Sequence, residues 1–230
     1  MQTVQAALAA AAVAVALVVV PLSARTEENG GLALTISIDG AIGPATASYA
    51  KDALTRAAER RAEVVILRLN TPGGLATSMR EIIADILASP VPVVGYVAPA
   101  GAHAASAGTY ILYATHIAAM APGTNLGAAT PVQIGGPMPG LPETTPEKND
   151  KDTKEPRPKD AMMAKVTNDA VAFIRSLAEL RGRNADWAEK AVREAASLSA
   201  NAALQEHVVD LIARDPAELL RRVDGRVVEV

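Results

Sequence analysis

Cysteine is absent from the 230-residue chain, so the fold carries no disulfide, no thiolate metal site and no cysteine nucleophile. Aromatic residues are scarce, with one Trp, one Phe and four Tyr. The core must therefore be built from Ala, Val, Leu and Ile, and the aromatic platforms on which single-stranded nucleic acid stacks are missing. Neither sign of charge dominates, since 22 Lys and Arg stand against 25 Asp and Glu for a net charge of −3. No basic block lies outside one mixed-sign segment, which removes the electrostatic footprint of a nucleic-acid binder and sets nucleic acid aside as a partner. Histidine is confined to His103, His116 and His207, scattered and without a tight carboxylate pattern, which argues against a metal site. Nothing in the composition calls for a cofactor.

One long hydrophobic run is present, Ala6 to Val20, followed by Pro21, Leu22-Ser23-Ala24 and the polar Arg25-Thr26-Glu27-Glu28. This reads as a secretory apolar region with a small-residue cleavage site after Ala24. No Lys or Arg precedes the run, so residues 1–24 stand as either a signal peptide or an N-terminal anchor. At about 15 residues the run is short for a bilayer-spanning helix, which favours cleavage. In both cases one domain, residues 25–230, is expected to be exported, extracytoplasmic and membrane-associated.

Beyond the leader, strand-like and helix-like stretches alternate. Leu32 to Ile38 has the alternation of a half-buried strand, and Pro44 to Ala62 places Ala50, Ala53, Leu54, Ala57 and Ala58 on one helical stripe. Val64 to Leu69 is nearly continuous and β-favouring, as in a sheet covered on both faces. It ends in Asn70-Thr71-Pro72-Gly73-Gly74, before a predicted helix from Leu75 to Ser89 and a strand from Val91 to Val97. Ala104-Ala105-Ser106-Ala107-Gly108 then leads into a short helix through Ala114 and a buried strand at Ile117 to Met120. Residues 132–160 turn to Gly, Pro and mixed charge and read as a flexible excursion. Helical spacing returns at Met162, Val166, Ala170, Phe173, Ile174 and Leu177, and a second helix begins near Asn184. A strand over 208–213, a helix over 216–222 and a strand or frayed end over 226–230 complete a β-β-α rhythm.

Three elements could carry chemistry: the Gly73-Gly74 turn, Ser106 among small residues, and Lys165 one turn into an apolar helix. A hydroxyl becomes a nucleophile when a base lies within hydrogen-bond reach and N–H donors face the oxyanion. The amides of Gly73, Gly74 and Ala107 could be such donors, and a helix opening at Ser106 would add its dipole. The same residues also have plain structural meanings. A serine among Ala and Gly permits close helix packing, and a Gly-Gly pair after Pro72 makes an ordinary turn. His116 leads an apolar run as a structural histidine would, His103 needs a tight reversal to face Ser106, and nothing marks His207. A lysine base must be neutral, which desolvation favours. Lys148, Lys151, Lys154 and Lys159 fall in the hydrated excursion, and Lys51 and Lys190 lie on polar helix faces. Lys165 flanks the Met162-Ala170-Phe173 stripe and reads either as a base or as a rim lysine with a buried stem.

Asn70-Thr71-Pro72-Gly73-Gly74, Ala104-Ala105-Ser106-Ala107-Gly108-Thr109-Tyr110 and Ala119-Met120-Ala121-Pro122-Gly123-Thr124-Asn125-Leu126-Gly127-Ala128 together resemble the N-terminal protease domain of the NfeD family of membrane-bound, ClpP-class serine proteases. The resemblance continues through Lys165-Val166-Thr167-Asn168, Ile174-Arg175-Ser176-Leu177-Ala178 and Arg181-Gly182-Arg183-Asn184. It implies an α/β fold, a ClpP/crotonase-like spiral of β-β-α units. It also implies a Ser-Lys dyad at Ser106 and Lys165, with oxyanion-hole elements at Gly73, Gly74 and Ala107. Longer relatives continue into transmembrane helices and a small β-barrel domain, whereas this sequence stops at Val230.

The function expected from this resemblance is a serine endopeptidase that cleaves hydrophobic segments of membrane-associated proteins, stomatin-like proteins among them, as a homodimer or larger homo-oligomer. The alternative is a catalytically idle membrane-associated scaffold that binds a stomatin-like partner through the same groove. A crotonase-like acyl-CoA enzyme is a third expectation, opposed by export, because CoA esters are cytoplasmic.

Overall fold

In the computed structural model, residues 31–132 and 158–230 are described. The continuous β-favouring runs become a five-stranded parallel sheet. Its strands are β1 (Ala33–Asp39), β2 (Val64–Asn70), β3 (Val93–Val97), β5 (Ile117–Met120) and β8 (Leu211–Ile212), in the order β1-β2-β3-β5-β8. Both faces of this sheet are covered, which is why its strands lack a polar face. Along β2, Val65, Leu67 and Leu69 enter the larger core while Ile66 enters a second cluster on the opposite face. Along β3, Val93 and Val97 take the first side and Val94 and Tyr96 the second.

Helices α1 (Pro44–Glu59), α2 (Ala76–Leu87) and α3 (Ala107–Ala114) contribute to the larger core. Alanine does much of this work: Ala47, Ala50, Ala53 and Ala57 are buried on α1, and small side chains let helix backbones come close. Ile82, Ile83 and Ile86 of α2 are at most 1% exposed, each contributing about 1.5–3 kcal/mol by burial. Gly95 is required in β3 because a Cβ there would meet Leu112 Cδ1 and Thr115 Oγ1 at 2.8 Å. The second cluster is closed by Leu219 of α7 (Pro216–Val223).

A smaller layer lies beyond the ends of the main strands. It consists of β4 (His103–Ala105), β6 (Asn125–Gly127) and β7 (Ser197–Ser199), with isolated parallel bridges Ile42↔Gly74 and Thr71↔Ala104. A long strand, a short step in this layer and a helix therefore recur, most plainly as β3-β4-α3. The sequence pattern did not reveal β4, β6, β7 or the helix α6 (Ala200–Gln205), because elements of three to six residues are too short to display a period.

Helices α4 (Pro158–Leu180) and α5 (Ala185–Arg193) follow, α5 capped by the Asn184 side chain, which accepts from the Trp187 amide. Two expected boundaries change. Helix α4 already begins at Pro158, inside the span assigned to the excursion, because proline is tolerated at a helix start. The expected strand over 208–213 narrows to Leu211–Ile212, while residues 226–230 form no strand, in keeping with the frayed-end alternative. The leader at 1–24 and residues 133–157 of the excursion lie outside the described residues. Among the described residues no helix is long and apolar enough to cross a membrane.

Candidate active site

Ser106 joins β4 to α3, occupies the N-cap of that helix and has φ +51° and ψ −119°. A non-glycine residue in that region costs about 1–3 kcal/mol and persists only where its surroundings hold it. Here the Ser106 amide donates to the Gly127 carbonyl at 2.9 Å and its carbonyl accepts from the Thr109 amide at 2.9 Å. Buried Thr109 locks the same turn, its hydroxyl donating to the Ala104 carbonyl at 2.9 Å and accepting from the Gly127 amide at 3.1 Å. The Ser106 side chain makes no capping hydrogen bond, so its hydroxyl is left half-buried and available.

The Gly-Gly turn closes on this serine. At Gly73, with φ +108°, an added Cβ would lie 2.6 Å from Ser106 Cβ and 3.1 Å from Oγ. The Gly73 amide is engaged, donating to the hydroxyl of fully buried Thr71 at 3.0 Å. Gly74 sits in the bridge to Ile42, where the flanking residues make the hydrogen bonds: the Ile42 amide donates to the Gly73 carbonyl and the Leu75 amide to the Ile42 carbonyl. The amides of Gly74 and of Ala107, the first residue of α3, have no acceptor among the described residues. Of the three predicted donors, two are thus free, and Gly73 instead supplies the clearance that lets Ser106 approach.

A cavity of about 260 Å³ opens beside Ser106. Gly74, Leu75 and Met79 wall it on the α2 side, Tyr110 forms part of its floor, and Val166, Ala170 and Phe173 wall it on the α4 side. Tyr110 stacks on Phe173 with ring centroids 6.2 Å apart. Burial pushes the Tyr110 hydroxyl well above the usual phenol range, so it stays protonated and donates to the Ala129 carbonyl at 3.2 Å. Arg80 of α2 reaches across to Asp169 of α4 at 2.6 Å, with its guanidinium carbon 4.1 Å from the centre of the Phe173 ring.

Ser106, Gly73, Gly74 and Ala107 are therefore brought together, but Lys165 is not packed among them. It lies on α4 immediately before the cavity-lining Val166, with its side chain exposed. His116 takes the structural place the sequence suggested. His116 is buried, its Nδ1 accepts from the Val93 amide at 3.1 Å, and desolvation first, then Arg181 and Arg183, pulls it down to about 4. His207 is exposed, and His103 heads β4. No cluster of metal-ligating side chains occurs among the described residues. Arg80 and Asp169 were missed by the motif pattern, whereas Phe173 already stood in the apolar stripe of this helix. The trace of Asp169 in the sequence was its place four residues after Lys165, on the same helix face.

Comparison with known proteins gives a consistent set of relatives. The NfeD1b N-terminal domain family matches residues 33–169. The membrane-bound protease PH1510 of Pyrococcus horikoshii is 40% identical over 172 residues, which is 75% of this chain and 35% of that protein. The membrane protein NfeD1b of Bacillus subtilis is 37% identical over 118 residues, 51% of this chain and 26% of that protein. The chain thus spans about a third or less of the curated relatives it matches. Among solved structures, a serine-to-alanine mutant of the 1510-N membrane-bound stomatin-specific protease superposes with a TM-score of 0.73 at 37% identity, covering 85% of this chain and 86% of that one. A lysine-to-alanine mutant of the 1510-N protease, in complex with a substrate peptide, gives 0.71 at 36% identity over 86% and 82%.

Proposed function

The chain belongs to the NfeD1b N-terminal domain family, and from that premise we propose that it is a ClpP-like serine endopeptidase whose nucleophile is Ser106 and whose base is Lys165. The observation that carries the reading is the conjunction at Ser106: a strained, uncapped serine opening α3, with the amides of Gly74 and Ala107, unpaired among the described residues, in the same turn region. Lys165 takes the Ser106 proton, and Oγ bonds to the scissile carbonyl carbon. The two amides hold the oxyanion, and the lysine returns the proton to the departing amine. Water, deprotonated by the same lysine, then attacks the ester carbonyl, the acyl C–Oγ bond breaks, and the proton passes from Lys165 to Ser106 Oγ. Lys165 is exposed and stands directly before Val166, which lines the groove where a peptide would lie.

The apolar cavity suits hydrophobic segments of membrane-associated proteins, stomatin-like ones among them, since the 1510-N relative is named stomatin-specific. Residues 1–24 serve as a leader or anchor that exports one protease domain, residues 25–230, to the extracytoplasmic side. Self-association as a dimer or larger assembly is supported by exposed apolar side chains, Val132 at 78% in the cavity lining and Met162 at 61% on α4.

The exposure of Lys165 and its place outside the cavity lining favour a second reading, a catalytically idle scaffold that binds a stomatin-like partner. Cleavage of an apolar peptide library by the full chain separates the two. Loss of products with both Ser106→Ala and Lys165→Ala supports the dyad. Loss with Ser106→Ala alone removes Lys165 from it, and no cleavage by the parent chain favours the scaffold.

A further inference from the structure

The N-terminal half of α4 is held unusually lightly. From Ala161 to Asp169 no residue is buried, and the first side chain to enter the core is Ala170. This stretch nevertheless carries Lys165 and the cavity-lining Val166. Among the described residues, two side-chain tethers are found at its base. Arg193 of α5 donates to Asn168 at 3.2 Å, and Arg80 of α2 donates to Asp169 at 2.6 Å. Only the second crosses the cavity, and it joins the helix that follows the Gly-Gly turn to the helix that carries Lys165. Arg80 is fixed in that pose by lying 4.1 Å over the Phe173 ring, itself a cavity wall. A planar guanidinium makes both contacts at once, which a lysine ammonium does less well.

We propose that Arg80 is a positioning residue: by clasping Asp169 over Phe173 it fixes the gap between α2 and α4, and so sets the size of side chain that the Ser106 cavity accepts. The proposal rests on the peptide-cleavage reading of the site. The ion pair is exposed, at 45% and 71% for the two side chains, and exposed pairs contribute little to global stability. Its removal should therefore loosen the gap without unfolding the domain.

The test uses the full chain with Ser106→Ala, which permits binding to be measured without turnover. Fluorescently labelled peptides identical except for one central residue, Ala, Leu, Phe or Trp, are titrated by anisotropy, and thermal unfolding is recorded for every variant. Adding Arg80→Ala should shift the Trp-to-Leu ratio of Kd by about tenfold in favour of Trp, the order of discrimination that a small change of fit in an apolar pocket provides. Arg80→Asp should do the same, Arg80→Lys should shift it less, and Arg80→Asp combined with Asp169→Arg should restore the parent ratio. In chains retaining Ser106 the same shift should appear in KM rather than kcat across the peptide series. An unchanged ratio in Arg80→Ala with unaltered unfolding overturns the clasp, as does failure of the charge swap to restore it. Absence of binding to every peptide by the Ser106→Ala chain instead overturns the peptide-cleavage reading, and the clasp with it.

Discussion

Gly73→Ala and Gly40→Ala form a matched pair that isolates what the Gly-Gly turn does for Ser106. Both glycines hold positive φ, +108° and +93°, but Gly40 has nothing within 4 Å of an added Cβ, whereas Gly73 has Ser106 Cβ at 2.6 Å and the Ala105 carbonyl oxygen at 3.3 Å. Gly40→Ala should therefore cost only the backbone term, about 1–3 kcal/mol. Gly73→Ala adds overpacking of about 1–3 kcal/mol. With about 2–4 °C of Tm per kcal/mol in a domain of this size, it should melt several degrees below Gly40→Ala. Restoring ordinary van der Waals separation moves Ser106 by about 1 Å, and a misplacement of that size costs about 10² in kcat/KM. Thermal unfolding and peptide turnover on the parent and both variants measure the two effects. Equal Tm values for the two variants, with turnover in Gly73→Ala within a few-fold of the parent, would refute the idea that Gly73 exists to admit Ser106.

Other outcomes follow from buried polar groups. Arg183, whose side chain is 1% exposed, donates to the carbonyls of Tyr113 and Thr115 at 2.9 Å each and pairs with Asp210 at 2.7 Å. It thereby secures the C-terminal end of the helix that Ser106 opens. Arg183→Ala should cost about 3–5 kcal/mol in urea unfolding, because carbonyls and a carboxylate lose their partner, and a loss under about 1 kcal/mol contradicts that account. His116 sits near 4 in the fold against an ordinary 6.5. The unfolded chain thus binds the proton first, so stability from this group is full above about 6.5 and falls as pH drops towards about 4. Replacing His116 by Gln should flatten the stability profile in that window, and an unchanged slope argues against a buried neutral imidazole. Tyr110→Phe removes a bond to the Ala129 carbonyl but keeps the stack on Phe173, so it should cost about 1 kcal/mol and leave the order of peptide preference unaltered.

Much of the architecture was legible because the main sheet is covered on both faces and its helices are amphipathic. Val64 to Leu69 could hardly be anything but a buried strand, and the Ala stripe of α1 matched the buried Ala50, Ala53 and Ala57. The chemistry-bearing motifs were legible for a local reason: Thr71-Pro72-Gly73-Gly74 and Ala105-Ser106-Ala107-Gly108 each lie within a few residues of chain. Short-range sequence therefore determined that a glycine turn and a serine helix start exist, and the residues of these motifs, with those further along the chain, carried the resemblance to the family.

What sequence could not decide depends on groups far apart in the chain. Whether an amide is free depends on where acceptors fall. Gly73 and Gly74 look equivalent in sequence, yet the Thr71 hydroxyl takes the Gly73 amide while that of Gly74 finds no partner among the described residues. The +51° φ of Ser106 is held by Gly127, 21 positions away, through a bond that no local pattern encodes. The Arg80–Asp169 pair joins residues separated by 89 positions, and the exposure of Lys165 follows from α4 entering the core only at Ala170. Local propensity and periodicity decide which elements form, whereas the packing of one element on another decides which polar atoms are left without partners, and those atoms make the site.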